Sequence, residues 1–141
     1  MHRFILAFSM ALATIAAADP DPAFHKATAI SAPDGRWDYA SWDAAHHRVL
    51  VAHGQDVLVI DPAGAGGVKA IGAVAGAHAA LAISGTDTLL VTSGRDASVR
   101  ILDEASGSEL ARIAVAADPD SATLSADGRT AYVMGGDSGV V

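Results

Sequence analysis

Apolar residues in this chain fall into short extended runs of four to six residues, separated by turn residues, and the runs recur. RVLVAHG (48–54), TLLVTSG (88–94) and TAYVMGG (130–136) superpose, placing Leu50, Leu90 and Tyr132 in one column and Val51, Val91 and Val133 in the next. A second run follows the first two copies, DVLVID ending at Asp61 and SVRILD ending at Asp103. The period of about 40 to 42 residues marks a repeat architecture in which each copy is one supersecondary unit. β-Branched and aromatic residues concentrate in the runs, so each unit reads as four strands. In the second unit these are 79–84, 88–93, 98–103 and 109–116, joined by GTD, GRDA and EASGS. In the third, SADGR supplies Asp127-Gly128 to a hairpin turn that needs a residue tolerant of positive φ.

One segment resists the strand reading. Residues 72–84, GAVAGAHAALAIS, are alanine-rich and favour a helix by intrinsic propensity. The repeat overrules propensity here, because small residues suit innermost strands that converge on an axis. The expected fold is therefore all-β, with propeller blades of four antiparallel strands in an incomplete ring.

Composition changes this picture only at the ends and at the surface. With 51% hydrophobic residues and 18% charged residues, the chain has the makeup of a packed globular protein. At the N-terminus, His2 and Arg3 precede an apolar run from Phe4 to Ala17, and Ala16 and Ala18 stand at small-residue cleavage positions. Residues 1–18 read as a secretory signal peptide, since the run is too short to cross a bilayer comfortably. No membrane span is then expected after cleavage, and the location is periplasmic or secreted. With no cysteine, a lipoprotein anchor is excluded. The formal charge of −7 becomes about −8 without Arg3, which argues against a nucleic-acid partner.

SADGRTAYV, VLVID, SGRDASVRILD and GRWDYASWD together resemble segments of the YVTN-repeat β-propellers, including YncE-like exported proteins, over about residues 35–141. The resemblance implies a seven-bladed ring in a longer parent. On that reading residues 19–34 hold a closing outer strand at AFHKATAI, 35–76 form blade 1, 77–117 blade 2 and 118–141 part of a third. Such a piece is expected to be a fragment, or to self-associate through open blade edges.

In a four-stranded antiparallel blade, the loops entering the first strand and linking the second to the third emerge on one face. That face should collect Asp38 and Tyr39, His53, His78, Arg95 and Asp96, and Asp118 and Asp120, the candidate ligand-binding residues. His53 and His78 are either ligand contacts or metal ligands at a channel mouth, or loop histidines bonded to backbone. Arg95-Asp96 is either a cation fork for an anionic substrate or a turn that pairs with itself. Asp118-Pro119-Asp120 is either a pair of carboxylates for a cation or ordinary turn chemistry. His46-His47 belongs to the opposite face and is expected to be solvated, Trp37 and Trp42 to pack between blades, and Asp61 and Asp103 to cap turns.

Catalytic signatures are missing from the sequence: it has no G-x-S-x-G, H-E-x-x-H, G-x-x-x-x-G-K or EF-hand pattern. The glycine-rich run 64–67 opens no helix and reads as a hairpin loop. No catalytic residue and no cofactor is predicted, and the metal question stays open. The leading expectation is an exported binding module whose partner is an unknown small molecule or envelope protein. A fragment of a metal- or cofactor-dependent propeller enzyme is the alternative, with His53, His78 and Asp120 as its candidate ligands.

Overall fold

A computed structural model of the chain describes residues 29–141 apart from residue 65. The expected signal peptide lies outside the described residues, as does most of the expected closing strand; Ala29 and Ile30 are not in a strand. Three antiparallel sheets follow one another. The first contains β1 (Ala40–Asp43), β2 (Arg48–Ala52), β3 (Val57–Ile60) and β4 (Val68–Ile71) in sequential order. β5 (Ala77–Ala82), β6 (Thr88–Ser93), β7 (Ser98–Asp103) and β8 (Glu109–Ala114) form the second in the same way. β9 (Pro119–Leu124) pairs with β10 (Ala131–Gly135) in the third. The fold is all-β, and among the described residues the sheets do not close into a ring. They match propeller blades of four antiparallel strands in an incomplete circle.

Local chemistry explains the strand limits. β6 and β7 occupy the expected residues, with Leu90 opposite Ile101 and Val91 opposite Arg100. The alanine-rich segment is strand, as the repeat requires, but β5 starts and ends two residues before the expected 79–84. Its start is drawn back because the Ala77 amide donates to Gly54 O at 3.1 Å, joining the strand to the neighbouring blade. β8 stops at Ala114 rather than residue 116. Asp61 and Asp103 cap their turns as expected: the amides of Ala63 and Gly66 donate to Asp61, and the amide and hydroxyl of Ser106 to Asp103. In the third hairpin, Gly128 takes φ +68° and Asp127 accepts from Ser125 and Arg129.

The core lies mainly between the first two blades, where Leu50, Ala52, Val57, Ala77, Ala80, Leu89, Val91 and Leu102 cluster. Small residues on β5 let its backbone approach β1 and β2, so the innermost strands converge. Trp37 and Trp42 do not pack between blades: they are 49% and 55% exposed. Strand alternation accounts for Trp42, since Ser41 turns toward blade 2 and donates to Ala80 O while Trp42 points the other way. Trp37, in the loop before β1, stands edge-on to His53 with ring centroids 5.3 Å apart.

Candidate functional site

Counting back from the shared column, Asp38, His78 and Asp120 each lie twelve residues before Leu50, Leu90 and Tyr132. They are one position of the repeat, just before β1 and at the starts of β5 and β9. The converging inner strands bring these copies together. His78 Nδ1 lies 2.8 Å from Asp38 Oδ2 and 3.6 Å from Asp120 Oδ1, and its Nε2 lies 3.8 Å from Asp118 Oδ1. The buried imidazole of the second repeat is therefore surrounded by three carboxylates, one from the first repeat and two from the third.

Glycine makes room for this cluster. A Cβ on Gly94 would stand 2.6 Å from His78 Nε2 and 2.9 Å from Asp118 Oδ1. Gly94 belongs to a column with Gly54 and Gly136, each four residues after the shared position. Gly136 donates its amide to Asp118 O at 2.8 Å, holding the turn before β9. Tyr39 is half-exposed beside the cluster, its amide bonded to His78 O at 3.1 Å.

The other expected site residues lie elsewhere. His53 is buried, with Nδ1 3.1 Å from Asp56 Oδ1, and does not reach His78's carboxylates. Arg95 lies over Gly76 and, with His53, lines a neighbouring cavity. Asp96 turns toward the outer strands, where Ser98, Arg100 and Arg112 hold it. Burial pushes the Asp96 carboxyl up, but hydrogen bonds from Ser93, Ser98 and Arg100 outweigh that and hold it at about 2. Arg100 also pairs with Glu109, so this corner is a closed charge network with no free carboxylate fork.

On the opposite face, His46 is not merely solvated. Its Nδ1 lies 3.0 Å from Asp43 Oδ2 and 2.9 Å from Glu104 Oε1, bridging blades 1 and 2. The ligand atoms of Asp43, His46 and Glu104 lie within 4.8 Å of one another, the spacing of a metal site. The guanidinium of Arg48 already contacts both carboxylates, donating from Nε to Asp43 Oδ2 at 2.8 Å. Burial pushes Asp43 up, but hydrogen bonds from Arg48 and His46 more than offset it, so the carboxyl stays below the usual range. The cluster thus reads as an inter-blade ion pair.

Sequence reasoning chose Asp38, His78, Asp118 and Asp120 one by one as loop residues. The equal twelve-residue offset was the signal that three of them meet. It missed Arg36 and Asp56, which join His53 and Arg95 at the cavity. Arg36 lies fourteen residues before Leu50, the offset that Asp118 has from Tyr132, so the same counting would have found it.

No helix among the described residues is long and apolar enough to cross a membrane. No protein-family model matches the chain, and no curated protein matches it significantly.

Proposed function

We infer that this chain is an exported, YVTN-type β-propeller binding module that holds a small ligand by a cationic group at the converging ends of its inner strands. The carrying observation is the meeting of Asp38, Asp118 and Asp120 around His78. Three carboxylates converging on one imidazole concentrate acidic groups at one point, on a face formed by loops from each blade. A protonated amine, a guanidinium or a divalent cation complements it, and charge-assisted hydrogen bonds to carboxylates are the strong kind. The repeat supplies the geometry and the loops supply the chemistry. The signal-like sequence of residues 1–18 supports a periplasmic or secreted location, which fractionation of expressing cells checks.

Titration of the full chain with methylammonium, guanidinium and calcium, followed by the His78 ring resonances, tests the reading. Binding of one of these, weakened about tenfold or more in Asp118→Asn with Asp120→Asn, is expected. Identical binding in wild type and the double variant, or none to either, overturns it.

A further inference from the structure

Next to the His78 cluster, on the same face, lies a cavity of about 350 Å³ with a different lining. Segment 34–36 and the β2–β3 turn form one side, and Gly76 and Arg95 of blade 2 form the other. Arg36 and Arg95 are both exposed there. Arginine ion pairs among the described residues use Arg48, Arg100 and Arg112, leaving these two guanidiniums without carboxylate partners.

His53 supplies the second observation. It is 9% exposed, its Nδ1 is engaged by Asp56, and its Nε2 is buried with no hydrogen-bond partner among the described residues. Nε2 ends against Gly35, where a Cβ would sit only 2.2 Å away, so only glycine lets segment 34–36 lie over the ring. A buried polar nitrogen without a partner is costly, so the packing of Gly35 over the ring is a strained feature in the wall of this cavity.

The geometry points to this cavity as the binding site of a small oxyanion-bearing molecule, a carboxylate or a phosphate, gripped by Arg36 and Arg95 over His53. Planar guanidinium forks match the two oxygens of such a group. His53, held at Nδ1 by Asp56, lines the same cavity as the two guanidiniums. Asp34 is the remaining carboxylate in the wall and is exposed. With a chain charge of −7, long-range attraction does not assist, so recognition rests on short-range contacts. The site takes no residue from the His78 cluster and stands apart from the cation-binding reading.

Calorimetric titration of the full chain at low salt, with succinate and separately with inorganic phosphate, tests the proposal. Saturable binding of at least one is expected, weakened about tenfold by Arg36→Gln or Arg95→Gln and lost in the double variant. Succinate alone identifies a carboxylate site, and phosphate alone a phosphate site. Asp118→Asn with Asp120→Asn should bind the anion like wild type, which separates this result from that of the cation titration. Both arginines are exposed, so the variants are expected to melt like wild type, as circular dichroism checks. The proposal is overturned by no saturable binding of either probe, by binding that survives loss of both arginines, or by binding that leaves the His53 ring resonances unmoved.

Discussion

Asp38 Oδ2 lies 2.8 Å from His78 Nδ1 across a sequence separation of 40 residues, one full period of the repeat. The contact joins the entrance of β1 to β5 and ties two blades together at their inner ends. His78→Ala and Asp38→Ala should each lower stability by about 1–3 kcal/mol, the usual cost of stranding a buried hydrogen-bonding partner. In a double-mutant cycle read by urea unfolding, the two should couple by about 1 kcal/mol. Strict additivity would show that the pair contributes nothing as a pair.

Gly94→Ala tests how tightly this corner is built. The new methyl would meet both His78 Nε2 and Asp118 Oδ1 inside 3 Å, so a loss of about 1–3 kcal/mol and displaced His78 ring resonances are expected. Gly85→Ala is the comparison, because nothing lies within 4 Å of its Cβ and only its φ of +76° opposes the change. That variant should cost about 1 kcal/mol and leave His78 undisturbed.

Across the inter-blade seam, Arg48 faces two buried carboxylates. Arg48→Met removes the cation from Asp43 and Glu104, which are 2% and 7% exposed. Loss of about 3 kcal/mol is expected in thermal or urea melts, because a stranded buried charge costs more than a pair contributes. Adding Glu104→Gln should recover part of the loss.

Asp96 sets an acid limit on stability. Its carboxyl is held at about 2, against an ordinary value of 3.8. A depressed acid contributes stability that is complete above pH 4 and disappears as pH falls toward 2. Because the side chain is 33% exposed, solvent screening reduces this to on the order of 1 kcal/mol. Asp43 is shifted in the same direction and adds to the effect. Unfolding midpoints measured from pH 6 to 2 should fall below pH 4, and less steeply in Asp96→Asn.

Much of the fold was legible in the sequence because it is written in local properties. Alternation, turn residues and the recurring Leu-Val columns specify backbone conformation within a few residues, so β6 and β7 fall where their runs begin and end. Even the alanine-rich segment was readable, since repetition outweighs helix propensity. The candidate site was legible only as a face. Asp38, His78, Asp118 and Asp120 meet there, whereas Asp96, two residues from Gly94, turns outward to Arg100.

By itself the sequence determined the strands, their hairpin turns and the side of each blade on which the polar loops emerge, set by short-range backbone preference everywhere but at β5, where the repeat overrules helix propensity. Tertiary structure alone decided which loop residues meet and which charges are already neutralised. Those outcomes depend on how closely one blade packs on the next: small residues on β5 draw the inner strands together, so residues a whole repeat apart come within hydrogen-bond reach.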